Sequence, residues 1–526
     1  MNRRTNPHGT KGNTDVTSGT ENEGGRLASL VGRRKFLALG GAAAVAVVGS
    51  VGVAKALGGG TVNSPRSENP VGLNPAERSI DAVAAPAHVR HFALAGTDGW
   101  VSMPSARDLG PALGVADINP YFPDPLADPA NTTTYAFCFR NVTGLDRTQV
   151  ANQKGHTQIC APIFYSTVGE EIWVTLTNLG LQLRPDLVDG HTLHWHGFRN
   201  AIPFYDGVPE SSIAVAIGHD FTYVYRPKDA GTYMYHCHFE DVEHVTMGMH
   251  GIVFVKPDPN DPNAQNAVTR GADGTKTALT LGQYQQKAYA PSDGDTDGES
   301  WFDREYAIML SEIDTRAHFG DAHIQATDWT DFHADMWTMN GRAYPDTLQP
   351  NGVRDTEGNL KAQSEGLLVD AGLGKVQTDL QPVDGSRLFS NPLSSLVQAS
   401  PGERILIRFA NLGFLNHTIV FPGLSVEVLG RDARFVPDTA QRRATDSIQI
   451  GPGESRDVFF TAPDTPDAYP FYDRGMSHYA GSQDGTNAWV GGQRSEVRVI
   501  ANLAPQLKPN GWAGEAEWTG EFPVEG

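Results

Sequence analysis

The stretch VGEEIWVTLTNLG at residues 168–180 returns without a gap as PGERILIRFANLG at residues 401–413. Apolar side chains alternate along both copies, as at Ile172, Val174 and Leu176 of the first. A period of two is typical of a strand with one buried face, and the glycine before each run predicts a turn. The repeat therefore predicts an all-β protein built from two β-sandwich domains of one architecture.

The composition of the chain agrees with short strands and argues against two broad classes of protein. The 526 residues predict two to four domains, at roughly 150 residues each. With 57 glycines and 34 prolines, long helices would be interrupted too often. The 41 basic and 61 acidic residues give a net charge of −20, which argues against a nucleic-acid partner because phosphates would be repelled.

The first 56 residues are predicted to be an export signal rather than part of a folded domain. A polar segment ends in GRRK at 32–35, and an uncharged run of mainly Ala, Gly and Val follows at 36–54. Paired arginines before such a run indicate the twin-arginine export route. The expected destination is the periplasm, the cell surface or the medium. The run is close to the minimum length of a bilayer span, so retention as a membrane anchor stays open.

The repeat also sets the expected domain boundaries. After the export signal at 1–56, the segments are a linker at 57–84, the metal-bearing domain at 85–258, a second linker at 259–299, the second domain at 300–503 and a tail at 504–526. Asp, Pro and Asn are concentrated just after Lys256, as expected where one domain ends and a connection begins.

The two copies differ where the first is rich in histidine. HTLHWHG at 191–197 corresponds to HTIVFPG at 417–423, and YHCH at 235–238 corresponds to FYDR at 471–474. Histidines needed only for packing would have counterparts of similar size and polarity in the second copy. The contrast indicates a chemical role confined to the first domain, with the ligands of the second domain lost.

Strand geometry divides the ligand-type side chains of the first copy between two sites. Side chains two residues apart share a face of a strand, and direct neighbours lie on opposite faces. If the two histidine-rich segments pair side by side, one face carries the imidazoles of His194, His196, His236 and His238. The opposite face carries His191 and Cys237. Two metal sites that share one stretch of backbone are therefore predicted.

The site on the face of Cys237 has the composition of a blue-copper centre. Two imidazoles, one thiolate and a weakly bound thioether are the ligands of such a centre. The predicted set is His191, Cys237, His244 and Met249. Zinc is the alternative, but zinc does not require a thioether, and its closed sites use clustered pairs of ligands. The four imidazoles of the other face are also typical of copper.

Two further cysteines, Cys138 and Cys160, lie in apolar, strand-like surroundings. In an oxidising compartment, an odd number of cysteines leaves one pair and one remaining thiol. A disulfide between Cys138 and Cys160 is one possibility, and two separate thiols are the other. The sequence alone does not decide between them.

Together, these segments resemble the multicopper oxidase family of laccase-like enzymes. The similar segments are residues 191–197, DGVPE at 206–210, GTYMYHCH at 231–238 and the continuation to 249–251. The likeness extends over both halves of the chain after the export signal. It implies two cupredoxin-like Greek-key β-sandwich domains, with type 1 copper in the first.

The same resemblance implies roles for individual residues. Type 1 copper would be held by His191, Cys237, His244 and Met249. The type 2 and type 3 coppers would be held by His194, His196, His236 and His238. Asp206 matches an acid of the family that assists proton delivery, and Glu243 matches an acid that some members have at its position.

The chain departs from the family pattern in two places. Five residues, 239–243, separate the His-Cys-His motif from the next histidine, where the family usually has three. A complete trinuclear cluster takes eight histidines in four His-x-His pairs, and the second copy has no such pair. Two-domain relatives build the cluster between subunits, so a homotrimer is expected, and the number of coppers per chain stays open. The candidate contributors are His318, His323, His333, His417 and His478.

The sequence thus predicts a copper-dependent oxidase. A phenol-like or metal-ion donor gives single electrons to type 1 copper, and a histidine-bound copper centre reduces dioxygen. The acidic charge of the chain favours a cationic donor. One alternative is an enzyme similar to copper nitrite reductases, with nitrite as the acceptor. The other is a copper carrier or electron-transfer protein without catalytic activity.

Overall fold

The computed structural model describes most of the chain between residues 89 and 503. Side chains are described at 89–103, 120–127, 133–198, 202–258, 287–349, 388, 390–442, 444–475, 492–501 and 503, and the backbone alone at 268–270, 276–278, 352–354 and 360–362. All of these residues belong to one unit, 68–526. The predicted export signal, the linker at 57–84 and the tail at 504–526 lie outside the described residues.

The described residues of the first domain form two four-stranded sheets. Its strands are β1 (Val89–Ser102), β2 (Thr133–Asn141), β3 (Phe164–Thr167), β4 (Glu171–Asn178), β5 (His194–His196), β6 (Asp220–Tyr225), β7 (Gly231–His236) and β8 (His250–Lys256). One sheet has the order β2-β1-β4-β6 and the other β3-β8-β7-β5. Both sheets are mixed, because β1 runs parallel to β4 and β3 runs parallel to β8.

Aromatic side chains between these two sheets form the core of the first domain. Phe92 stacks on Phe164 of the facing sheet, with ring centroids 4.8 Å apart, and Phe164 lies 5.4 Å from the ring of Trp195. Trp195 is buried in this core. Because Trp195 lies between His194 and His196 in β5, its burial directs both histidines to the opposite face of the strand.

The described residues of the second domain form a six-stranded and a five-stranded sheet. The remaining strands are β9 (Val268–Arg270), β10 (Lys276–Ala278), β11 (Arg304–Ile313), β12 (Met336–Met339), β13 (Gly352–Arg354), β14 (Leu360–Ala362), β15 (Val397–Ala399), β16 (Arg404–Asn411), β17 (His417–Val420), β18 (Glu427–Arg431), β19 (Arg434–Phe435), β20 (Ser447–Ile450), β21 (Ser455–Thr461), β22 (Ala468–Asp473) and β23 (Arg494–Val499). The sheet orders are β12-β11-β16-β21-β18-β19 and β15-β23-β22-β17-β20, and β9-β10 and β13-β14 are separate hairpins.

The α-helices among the described residues are short. They are α1 (Arg147–Ala151), α2 (Asp241–Thr246) and α3 (Thr315–Ala322). Within the part of the chain that the structure describes, no helix combines the length and the apolar character needed to cross a bilayer. The described architecture is therefore mostly β, as the period-two pattern predicted.

The two copies of the sequence repeat fold alike. β4 and β16 each pair in parallel with the long strand that opens their domain, β1 and β11. At the ends of β4 and β16, the side chains of Asn178 and Asn411 accept hydrogen bonds from the N–H groups of Gly180 and Gly413. The predicted all-β class and the duplicated β-sandwich are confirmed. The predicted domain boundaries stay predictions.

One face of β7 and β8 packs against the second domain. Met234, Ile252 and Phe254 share an apolar cluster with Met309 of β11. His236 follows Met234 by two residues and therefore belongs to the same face. The face that carries the histidines is thus continuous with the contact between the domains.

The three cysteines are free thiols, and all three are buried. Sγ of Cys138 donates a hydrogen bond to the carbonyl of Gly248 over 2.6 Å. Burial raises the pKa of the Cys160 thiol to about 12, which makes it unreactive at neutral pH. Of the two possibilities left by the sequence, the structure has the separate thiols rather than a disulfide between Cys138 and Cys160.

The register of the second domain reproduces the alignment of the histidine-rich segments. Val420 pairs with Tyr472 across β17 and β22, as His194 pairs with His236 across β5 and β7. The residues matched by sequence therefore occupy equivalent places in the two sheets.

In the second domain, a charged triad lies at the position equivalent to the predicted sulfur-containing site of the first domain. His417 and Asp473 are the counterparts of His191 and Cys237. Nδ1 of His417 lies 2.7 Å from Asp473 and Nε2 lies 2.5 Å from Glu312, and all three groups are buried. Burial opposes a charge on His417, but the two carboxylates raise its pKa to about 9. The ring is therefore an imidazolium at neutral pH.

Replacing His417 with alanine is expected to destabilise the chain by roughly 3–5 kcal/mol, because two buried carboxylates lose their counter-charge. Urea unfolding at pH 7 measures this loss. The matched control is His333→Ala, which removes an exposed imidazole beside Asp331. Its effect should stay below about 0.5 kcal/mol.

The contribution of His417 to stability should also depend on pH. Folding raises its pKa from 6.5 to about 9, so its stabilisation is complete below pH 6.5 and is lost as the pH rises through about 9. The difference in unfolding free energy between the wild type and His417→Ala should therefore shrink over this range. A difference that stays constant would contradict the charged triad.

Candidate metal centres

Four imidazoles meet at β5 and the end of β7. His194 and His236 are register partners in these strands, and register partners project to the same side of a sheet. The ring centroid of His194 lies 5.3 Å from that of His196, 5.4 Å from that of His236 and 5.0 Å from that of His238. The structure thus brings these four predicted side chains together, in what we term the imidazole cluster.

Backbone carbonyls fix which nitrogen of each ring faces the imidazole cluster. Nδ1 of His194 lies 2.7 Å from the carbonyl oxygen of Asp206, and Nδ1 of His236 lies 2.7 Å from that of Cys237. A carbonyl only accepts, so in the neutral rings both Nδ1 atoms carry the proton and both Nε2 atoms keep a lone pair. Ligand atoms of His194, His196 and His236 all lie within 4.8 Å of one another. They are close enough to share one metal ion.

Burial keeps these rings in the neutral form that binds metals. Burial, with the neighbouring imidazoles, lowers the pKa of His196 to about 4 and that of His236 to about 3. The pKa of His194 is also lowered, mainly by burial. Protons therefore compete weakly for these nitrogens at neutral pH.

A cavity of about 490 Å³ opens beside the imidazole cluster. Its lining includes His194, His196 and Asp206 of the first domain, and Asp432 and Ser455 of the second. Oδ1 of Asp206 lies 3.7 Å from Nδ1 of His194, and the side chain of Asp206 is 32% exposed. Asp206 therefore stands between solvent and the imidazole cluster.

A thiol and two imidazoles form a second cluster behind the first, which we term the sulfur cluster. Sγ of Cys237 lies 3.1 Å from Nδ1 of His244, and the ring centroids of His191 and His244 are 5.2 Å apart. The ligand atoms of these three buried residues lie within 4.8 Å of one another. Met249 is also buried, and its carbonyl accepts the N–H of Cys237 over 3.1 Å. The four predicted type 1 residues are thus neighbours.

The sulfur cluster suits a copper ion for two reasons. One of its buried ring nitrogens has no hydrogen-bond partner among the described residues, and its donor atoms are of the kinds that copper binds. Nδ1 of His191 is buried without a hydrogen-bond partner among the described residues, and burial lowers its pKa well below the usual value. Burial also opposes a charge on His244, but Cys237 and Asp189 raise its pKa to about 10. A metal ion held by Cys237 and His244 would take the place of that proton. Thiolate, thioether and imidazole together suit copper.

One residue connects the two clusters. Cys237 belongs to the sulfur cluster, whereas its sequence neighbours His236 and His238 belong to the imidazole cluster. Thr192 ties the clusters together further, because its N–H donates to Sγ of Cys237 over 3.4 Å and its hydroxyl accepts the N–H of His238 over 2.8 Å. The covalent route between the centres is therefore short.

Sequence reasoning missed three residues around the sulfur cluster. A Cβ on Gly96 would lie 2.4 Å from Cδ2 of His191, so glycine leaves the room that this ring occupies. Oδ2 of Asp189 lies 3.9 Å from Nε2 of His244, and Glu240 forms a ligand-type group with these two. Two signals pointed to the acids: Asp189 precedes the first ligand by two residues, and Glu240 lies in the lengthened spacer.

The two predicted catalytic acids lie beside different clusters. Asp206 lines the cavity of the imidazole cluster. Glu243 lies in α2 directly before His244, and therefore on the side of the sulfur cluster. Burial, together with Asp321 and other carboxylates, raises the pKa of Glu243 to about 7. This position separates Glu243 from the imidazole cluster.

Four of the five histidines predicted to complete the imidazole cluster lie among the described residues, and each forms contacts outside that cluster. His318 lies between two carbonyls, His323 and His333 each contact an aspartate, and His417 is held in its triad. These contacts lie within one chain, and a contribution of the four histidines to the cluster of a neighbouring copy stays a prediction. His478 lies outside the described residues. The described part of one chain therefore supplies four imidazoles where a trinuclear cluster takes eight.

Comparison with known families gives one consistent match. Two profiles of the multicopper oxidase family match the chain, one at residues 140–260 and the other at residues 322–490. The chain is 26% identical over 314 residues to multicopper oxidase MmcO of Mycobacterium tuberculosis, which covers 58% of this chain and 46% of that protein. It is 31% identical over 105 residues to laccase abr2 of Aspergillus fumigatus, covering 20% and 16%. The chain thus spans less than half the length of these curated relatives.

Solved structures of copper proteins show a related but distant likeness. The blue copper oxidase of Nitrosomonas europaea has a TM-score of 0.47 and 20% identity, covering 78% of this chain and 86% of that one. The copper nitrite reductase of the same organism has a TM-score of 0.43 and 16% identity, covering 79% and 95%. Likeness at this level says nothing about the donor or the acceptor.

Gly96→Ala is expected to displace the ring of His191 from the sulfur cluster, because the added methyl would lie 2.4 Å from Cδ2. The copper-loaded variant should lose most of the intense visible absorption of a cysteine–copper bond, measured at matched copper content. Gly144→Ala is the control, since a Cβ there meets nothing within 4 Å. Its positive φ costs roughly 1–2 kcal/mol but should leave the absorption intact. Unchanged absorption in Gly96→Ala would mean that β1 does not position His191.

Proposed function

This chain belongs to the multicopper oxidase family, and from that premise we propose that it oxidises a small reducing donor at the sulfur cluster and reduces dioxygen at the imidazole cluster. As a member, it is a copper oxidoreductase with two domains of the family, matched at residues 140–260 and 322–490. We propose in addition its electron donor, its electron acceptor and its route of export.

The observation that carries the proposal is the pair of ligand clusters on opposite faces of one strand end. Cys237 faces the sulfur cluster, and His236 and His238 face the imidazole cluster. A carrier of electrons needs only the first cluster. A second cluster, made of neutral imidazoles beside a cavity of about 490 Å³, supports a site where a small acceptor is reduced.

Copper bound in these clusters supplies the one-electron chemistry, and the residues of the chain supply the rest. Thr192 holds Cys237 and His238 at a fixed separation. The carbonyls of Asp206 and Cys237 orient the rings of the imidazole cluster. The partly exposed carboxylate of Asp206 lies where it can pass protons from solvent to an acceptor in the cavity.

A homotrimer is the oligomeric state that we propose. The imidazole cluster lies beside an open cavity, and the described residues of the chain add no further imidazole to it. A neighbouring copy that covers this cavity would exclude water and bring further ligands. His478, which lies outside the described residues, is one candidate for such a ligand.

Nitrite is the second candidate acceptor, and one observation favours it. His194, His196 and His236 have ligand atoms in the range of one ion, whereas His238 is not part of that group. Three imidazoles on a single copper suit one-electron reduction of nitrite better than four-electron reduction of dioxygen. Metal analysis separates a single copper here from a complete trinuclear centre.

Copper-loaded protein is expected to consume dioxygen when hydroquinone is supplied, as measured with an oxygen electrode. Cys237→Ser should lower the rate at least about hundredfold and abolish the visible absorption, because the thiolate is both ligand and electron route. The matched control is Cys160→Ser, a buried thiol outside both clusters, which should retain most of the activity. Nitrite consumption without oxygen consumption would select the second acceptor. Strong visible absorption without consumption of either dioxygen or nitrite would contradict the proposed enzyme and indicate an electron carrier.

We also propose export by the twin-arginine route. The support is GRRK at 32–35 followed by the uncharged run at 36–54. Replacing Arg33 and Arg34 together with lysine should retain the protein in the cytoplasm of an expressing bacterium, as measured by cell fractionation. Arg3 and Arg4 form a second arginine pair that no apolar run follows directly, so their replacement with lysine is the control. Equal export of the two double variants would contradict the proposal.

A further inference from the structure

The second domain holds the beginning of β7, the strand whose end enters the imidazole cluster. β7 runs from Gly231 to His236, and His238 follows the strand by two residues. The four rings that the structure brings together all belong to the first domain. Side-chain hydrogen bonds from the second domain reach β7 at its other end, at Thr232.

Thr232 forms hydrogen bonds with three residues of the second domain, which we term the β7 clamp: Asp457, Arg408 and Ser455. The hydroxyl of Thr232 donates to Oδ1 of Asp457 over 2.5 Å and accepts from Nη1 of Arg408 over 3.0 Å. The carbonyl of Thr232 accepts the hydroxyl of Ser455 over 2.8 Å. All four residues are buried. Because hydrogen bonds to charged groups are the strong ones, Thr232 is held firmly in place.

The charged members of the β7 clamp are themselves held by buried partners. Arg408 donates to Glu305 over 2.7 Å, and Asp457 accepts the hydroxyl of Tyr289. Nζ of Lys256 in β8 lies 3.2 Å from Glu305, so the network returns to the strand that pairs with β7. Two acids and two bases balance their charges in this network. The anchor of Thr232 is therefore fixed from several sides.

A backbone turn of the second domain encloses the residue before Thr232. A Cβ on Gly231 would lie 2.6 Å from Cα of Ala433, in the turn between β18 and β19. The turn residues Asp432 and Ala433 have φ values of 49° and 58°, which are uncommon for residues other than glycine. Glycine at 231 leaves the room for this approach. The first two residues of β7 thus both contact the second domain.

The β7 clamp acts on the face of β7 that carries the imidazole cluster. Thr232, Met234 and His236 are two residues apart in turn, so their side chains share one face. Tyr233 and Tyr235 lie on the opposite face, in the core of the first domain. The second domain therefore holds the face of the imidazole cluster, and the core of the first domain holds the face of the sulfur cluster.

Cys237 is held in place by further contacts within the first domain. Its N–H donates to the carbonyl of Met249 over 3.1 Å, and its Sγ accepts the N–H of Thr192 over 3.4 Å. Neither bond depends on the second domain. Loosening the β7 clamp should therefore disturb His236 more than Cys237.

We propose that Asp457, Arg408 and Ser455 are positioning residues of the imidazole cluster, which they reach through Thr232 and strand β7. A strand rises roughly 3.3 Å per residue, so His236 lies roughly 13 Å along β7 from Thr232. The second domain thus fixes the position of metal ligands that the first domain supplies. The inference rests on the proposed binding of copper by the imidazole cluster.

Copper binding separates this positioning role from a general loss of structure. Metal-free protein is titrated with copper against a competing chelator, with total bound copper measured by metal analysis and the sulfur cluster followed by its visible absorption. Thr232→Val keeps the shape of the side chain and removes its hydroxyl. It should weaken copper binding at the imidazole cluster about tenfold, as loss of a supporting contact does in metal sites. The absorption of the sulfur cluster should be retained. Ser455→Ala should act in the same direction.

Two control variants show whether the hydroxyl of Thr232 is responsible. Thr232→Ser keeps the hydroxyl and should stay within about threefold of the wild-type affinity. Thr222→Val removes a buried hydroxyl that lies 2.8 Å from that of Thr175 in the other sheet of the first domain, and should leave both clusters unchanged. Equal losses at both clusters in Thr232→Val, or a loss in Thr232→Ser as large as in Thr232→Val, would overturn the positioning role.

Hydrogen exchange of the metal-free protein tests the β7 clamp without copper. Thr232→Val should speed amide exchange in peptides from β7 about tenfold relative to peptides from β4, because the strand opens more often. Thr222→Val should not speed exchange in β7. Unchanged exchange in Thr232→Val would overturn the clamp. If exchange in β7 speeds as expected but the wild type binds copper only at the sulfur cluster, the clamp on the strand is supported and the proposed acceptor centre fails.

Discussion

The molecule depends on the alternation of side chains along β7 and the two residues that follow it. His236 and His238 lie on the face that continues into the contact with the second domain, and Cys237 lies on the face of the core. The cross-strand pairing of His194 with His236 places the imidazoles of both histidine-rich segments on the same face of the sheet. A shift of this register by one residue would exchange the two faces and dismantle both clusters at once.

The second domain shows how the equivalent site is built without a cysteine. His417 keeps the place of His191, but Asp473 stands where the first domain has Cys237. An aspartate buried beside one histidine is stable only if the histidine is charged, and Glu312 completes the compensation from the other ring nitrogen. The site is therefore polar in both domains. In the second domain, an imidazolium between two carboxylates lies where a metal ion held by imidazole and thiolate would lie in the first.

The sequence was sufficient for those features that repeat or alternate. The gapless repeat at 168–180 and 401–413 predicted two similar sandwiches, and the period of two predicted which histidines share a face. The sequence did not predict contacts between segments that are distant in the chain. Gly96 matters only because β1 passes the ring of His191, and Asp189 and Glu240 meet only after the spacer has turned. The position of His318 between two backbone carbonyls likewise depends on tertiary packing, which the sequence does not show.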